Sequence, residues 1–180
     1  IEKYFKHPSY YTINGKPVFM IYDVQNLIKG LGGVEAAREA LDWFRAQAVE
    51  AGLPGLHLQM ALWGERSYNL SGVDGGITST TREVVKLLGF DSITHYQFCH
   101  FVNIDRNYNE IIEDVVKEWE RIDKSYDIPY FPHVSIGWDN NPRFKEFRPG
   151  IVRDNTPENV EKALIKAREY ADNHPGQPPL

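Results

Sequence analysis

The chain has 180 residues, of which 42% are hydrophobic and 25% charged, with a net charge of -5. That length suffices for one domain with a buried core, and the acidic balance offers no basic surface to a nucleic-acid backbone. One cysteine, Cys99, excludes an internal disulfide framework and a cysteine-rich zinc site, and no apolar run approaches the roughly 20 residues of a membrane span.

The first residues show no signal-peptide pattern, and the start at Ile1 rather than Met reads as a protein shortened upstream. The compartment stays open, with secretion or the periplasm ahead of the cytoplasm. The turn Asn14-Gly15 introduces a first strand, Pro17 to Tyr22. Ala37, Ala40, Leu41, Phe44 and Ala48 keep helical spacing from about Val34 to Ala51, and Gly52 supplies the stop. Leu56 to Trp63 is the second strand. After a glycine-rich loop, Thr80 to Glu83 reads as a capping box that opens a helix ending at Gly89.

Ser92 to Phe98 is the third strand, and its helix runs from about Tyr108 to Tyr126 with Ile111, Ile112, Val115, Trp119 and Ile122 as the buried stripe. The fourth strand is Tyr130 to Gly137, which would bury Ile136 against helices. Thr156 then caps a last helix with Pro157 at its first position. Strands that alternate with helices imply parallel pairing through right-handed crossovers. His57 and Gln59 in the second strand, and His133 and Ser135 in the fourth, make one face polar or small. An open doubly wound sheet normally reads as apolar on both faces. The pattern therefore predicts part of an α/β (β/α)8 TIM barrel, a single domain over residues 1 to 180 with about four βα units and open edges.

In such a fold ligands bind at the carboxyl ends of the strands. Those ends carry Tyr22-Asp23, Trp63-Gly64-Glu65-Arg66, His95-Tyr96-Gln97 and Trp138-Asp139-Asn140-Asn141-Pro142-Arg143, of which Tyr22, Asp23, Trp63, Glu65, His95, Tyr96, Trp138, Asp139, Asn140 and Arg143 are the candidate site residues. Each has two readings. Asp23 either caps a short helix from Val24 or contacts ligand; Trp63 and Trp138 either seal the strand ends or stack on a sugar ring. His95 reads as a hydrogen-bonded structural histidine or as a ligand contact; Asp139 reads as a turn former and Arg143 as one half of an exposed ion pair, or the two together as groups that orient a hydroxyl-rich ligand. Residues 72 to 76 (GVDGG) lack a phosphate-loop signature, and the six histidines show no metal-ligand spacing, so no cofactor and no metal are expected. Glu118-Trp119-Glu120 looks like a pair of acids, but Trp119 belongs to the apolar stripe, which turns both glutamates outward.

Four segments together carry a resemblance: HPSYYTINGKPVFMIYD, GFDSITHYQF, YFPHVSIGWDNNPRF and the closing HPGQPPL. They resemble the glycoside hydrolase family 99-like domain of WbsX-type polysaccharide-metabolism proteins, and the corner from Gly137 to Arg143 is the most specific of them. The resemblance implies a (β/α)8 barrel acting on oligosaccharide or polysaccharide, with an endo-α-mannosidase-like hydrolase as the first expectation. It also implies that the main catalytic acids follow Leu180, in the last strand of the barrel, which leaves Glu65 as the local carboxyl. Two alternatives stay open: a glycosyltransferase or accessory protein of surface-polysaccharide assembly, and a noncatalytic carbohydrate-binding barrel.

Overall fold

Asn14 and Gly15 both take positive φ, 51° and 77°, which a two-residue hairpin turn of the type I′ kind requires. They join β1 (Thr12–Ile13) to β2 (Lys16–Ile21) as an antiparallel pair. The structure is a computed structural model and describes residues 1–177, so the last three residues of the closing segment lie outside the described residues. The chain divides into two compact units, Ile1–Ile93 and from Thr94 onward.

In the first unit β2 is followed by α1 (Val24–Leu31) and α2 (Val34–Glu50), then by β3 (His57–Leu62), which pairs parallel with β2. α2 buries Ala37, Leu41 and Ala48, as the helical spacing requires. The glycine-rich loop is a small hairpin, β4 (Ser67–Asn69) and β5 (Thr78–Thr80), leading into α3 (Thr81–Leu88). Thr80 and Glu83 form the expected capping box, and Gly89 closes the helix in the left-handed conformation at φ 66°. The polar alternation in β3 is satisfied internally. His57 Nε2 lies 2.7 Å from Ser92 Oγ, and Gln59 Nε2 donates to the same hydroxyl at 3.1 Å, all three residues being buried.

β6 (Ser92–His95) carries the division between the units. The second unit continues with a 3-10 turn at Phe98–His100, α4 (Tyr108–Ser125), β7 (Tyr130–Phe131), a 3-10 turn at Asn141–Arg143, and α5 (Pro157–Asp172). α4 buries the whole expected stripe, Trp119 included. Thr156 accepts from the Asn159 N–H, and Pro157 stands in the first turn of α5.

The expected fragment of a (β/α)8 barrel is corrected by the strand pairing. Among the described residues one mixed five-stranded sheet forms, in the order β1-β2-β3-β6-β7, accompanied by five α-helices. Antiparallel β1 stands at one edge because the Asn14-Gly15 turn folds the chain back on itself. At the other edge the fourth strand stops after two residues. Pro132 has no N–H to donate, and the following carbonyls go elsewhere: Ser135 to the Tyr108 hydroxyl at 2.6 Å and Ile136 to the Asn155 side chain at 2.7 Å. Ile136 is accordingly 72% exposed rather than buried against helices.

Candidate functional site

At the end of β2 and β3, within the first unit, four sequence-selected residues meet new neighbours. The Trp63 indole donates to the Tyr22 carbonyl at 3.0 Å, and the two rings meet edge to face at 4.8 Å. The Arg66 guanidinium lies 5.5 Å from the Trp63 ring and 4.6 Å from that of Tyr68, so cation–π attraction holds it against both. Arg66 also approaches Asp23 at 3.8 Å. The Arg66 backbone is fixed by buried Thr81, whose hydroxyl takes the Arg66 N–H and donates to its carbonyl. Its Nε is buried without a hydrogen-bond partner among the described residues. Burial raises the Tyr68 hydroxyl pKa, with Arg66 opposing it.

Asp23 is the N-cap of α1, with one carboxylate oxygen taking the Asn26 N–H at 3.0 Å and the other its side-chain amide at 2.9 Å. Glu65 is exposed and follows Gly64, whose φ of 75° turns the chain out of β3.

In the second unit the residues after β6 and β7 form another aromatic corner. The Tyr96 and His100 rings stack at 5.4 Å, His100 lies 6.3 Å from Trp138, and Arg143 sits 5.5 Å from the Trp138 ring. On the segments that follow β6 and β7, Gln97 Oε1 and Trp138 Nε1 are each buried with no hydrogen-bond partner among the described residues. The corner is stiff. Asp139 Oδ1 accepts both the Asn141 N–H and its side-chain amide at 2.7 Å, hydrogen bonds that hold its carboxyl below the usual carboxylate range. The Asn140 carbonyl accepts from the Arg143 N–H and starts the 3-10 turn. At Gly137 an added Cβ would stand 2.6 Å from the Asn155 amide nitrogen that holds the Ile136 carbonyl, so a larger residue there displaces that side chain.

His95 is drawn away from that surface. Its side chain is 0% exposed, stacked on Phe101 at 3.9 Å, with Nδ1 2.8 Å from the Tyr130 hydroxyl. Burial first, then the neighbouring His133 and Arg121, push its pKa down to about 3, so it is neutral. Nε2 points past 3.9 Å toward Glu118, which is gripped by Arg121 at 2.7 and 2.8 Å. The sequence reading turned Glu118 and Glu120 outward together. That describes Glu120, exposed beside Lys124 at 3.9 Å; Glu118, its side chain 17% exposed, faces inward.

Arg66 and Gln97 belong to the strand-end corners that the sequence marks, without being singled out within them, whereas His100 and Tyr68 stand outside those corners and carry no sequence signal of their own. A groove of about 630 Å³ runs between α4 and α5 over Trp119 and Tyr170. Among the described residues no helix is long and apolar enough to cross a membrane.

A family model described as Glycosyltransferase WbsX matches residues 1–179. The chain belongs to this family. The WbsX assignment makes it a carbohydrate-active, polysaccharide-related protein. No curated protein and no solved structure gives a match.

Proposed function

We propose that this WbsX-family chain binds a glycan for an enzyme that cleaves glycosidic bonds in polysaccharide, an endo-acting hydrolase of the glycoside hydrolase family 99-like kind. The observation that carries the reading is the pair of buried atoms Gln97 Oε1 and Trp138 Nε1, both without partners among the described residues. Each unsatisfied buried group costs about 1–3 kcal/mol. A sugar hydroxyl both donates and accepts, so hydroxyl groups answer an amide oxygen and an indole N–H alike. The adjoining Tyr96, His100 and Trp138 rings offer apolar faces to the C–H side of a pyranose.

Tyr22 and Trp63, with Arg66 against the Trp63 ring, supply a similar combination of aromatic edge and donor in the first unit. Asn140 and Asp139 hold the Trp138 corner, and His95 braces the end of β6 through Tyr130. Glu65 is proposed as one of the two carboxyl groups that glycosidic cleavage requires. Asp23 and Asp139 are less suited to proton transfer, because each has oxygens held by a neighbouring asparagine.

A transferase is the second reading, favoured by the family description itself. Incubating the full-length protein with α-linked oligosaccharides, with and without nucleotide sugars, separates the two. New reducing ends without a nucleotide sugar are expected. Elongation that depends on a nucleotide sugar establishes the second reading, and binding without turnover leaves a carbohydrate-binding protein.

A further inference from the structure

Residues 143 to 148, Arg-Phe-Lys-Glu-Phe-Arg, hold three cations and one acid in a chain whose net charge is -5. All six are exposed, and Phe147 presents 76% of its surface. The loop is nevertheless fixed at its base. The Asn141 side chain donates to the Arg148 carbonyl at 3.0 Å and accepts the Arg148 N–H at 2.7 Å, and Asp139 holds that same side chain in place. On the loop itself the Arg148 guanidinium covers the Phe144 ring at 4.3 Å, and Arg143 lies against Trp138. Phe147 thus stands open to solvent on a clamped loop whose three cations outnumber Glu146, the one acid among them, a local positive charge that favours an anionic ligand in an otherwise acidic chain.

We propose that this loop is a subsite for an anionic sugar residue, so that the polysaccharide carries carboxylate or sulfate groups. The proposal rests on the glycan-binding reading above and extends it outward from Trp138. Phe147 provides the stacking face, while Lys145 and Arg148 provide the charge. Arg148 is held in the clamp by its backbone, which leaves its side chain free to be exchanged without opening the loop.

The test titrates the full-length protein with three tetrasaccharides of one backbone: α-linked tetragalacturonate, its carboxyl-reduced neutral counterpart, and that neutral form bearing sulfate esters. At low salt a charged form is expected to bind about tenfold more tightly than the neutral one, the combined effect of two or three exposed ion pairs. Whichever charged form is preferred identifies the anion. In the Lys145→Gln/Arg148→Gln variant the preference should fall to near one, with the melting temperature unchanged. Raising salt should erode it in the native protein. Equal binding of charged and neutral forms, or a preference that survives in the double variant, overturns the subsite and leaves the glycan reading standing. Failure to bind these and every member of the wider oligosaccharide panel overturns both.

Discussion

The environment of single side chains separates residues that hold the fold from residues open to a ligand. His95 belongs to the first kind. Its pKa falls from 6.5 to about 3 on folding, so the unfolded chain binds this proton more readily than the native one. The linked stability is complete above pH 6.5 and is lost as pH falls toward 3, by at most about 1.4 kcal/mol per pH unit. Replacing the imidazole with a ring that does not titrate removes that dependence. His95→Phe should therefore be less stable than the native protein at pH 7.5, for loss of the Tyr130 hydrogen bond, with the gap closing below pH 6.5. Urea midpoints across that range check it, and a gap independent of pH would remove the buried neutral imidazole from the account. Gly137 makes a similar point through space rather than charge. Gly137→Ala should cost about 1 kcal/mol by displacing the Asn155 amide from the Ile136 carbonyl, and the same change made on an Asn155→Ala background should cost less.

Whole helices were more legible than strands. α2, α3, α4 and α5 were marked by local signals: apolar spacing, a capping box, Pro157 in a first turn. Such signals act within a few residues and need no partner. Thr80→Ala removes one of them and should lower stability by about 1 kcal/mol in thermal or urea unfolding. Strand length depends instead on what lies alongside, and the stretch from Pro132 to Gly137 shows it. The residues alternate as a strand would, yet their carbonyls are taken by Tyr108 and Asn155 from outside the sheet. Ile136→Ala should in consequence change stability by less than about 0.5 kcal/mol. Ile111→Ala, at a fully buried position on α4, should cost roughly 2–5 kcal/mol. Equal losses from the two would restore the longer strand.

For the molecule as a whole, the alternation of strand and helix was readable, and the pairing that makes the sheet mixed was not. β1 is only two residues long and is recruited by a turn, so it leaves no periodic trace; β4 and β5 hide in a glycine-rich loop. The polar face of β3 reads as a sign of a barrel, and it is instead an internal hydrogen-bonded layer around Ser92. Strand-end corners were visible from chain direction alone. Which atoms there lack partners depends on packing that no local pattern encodes, so the sequence puts Gln97 at a corner without singling it out.

The central claim, that a glycan hydroxyl completes the Gln97–Trp138 corner, is met most directly by one comparison. The native full-length protein and its Trp138→Phe variant are titrated calorimetrically with the tightest-binding member of the α-linked panel. Phenylalanine keeps an aromatic face, smaller than the indole, and removes the N–H, which has no partner in the free protein among the described residues. The melting temperature should hold or rise, while affinity falls by roughly 3- to 10-fold, the loss of one neutral hydrogen bond. Undiminished affinity in the variant, or a variant that melts early and binds normally once folded, would contradict the claim and return Trp138 to a purely structural role.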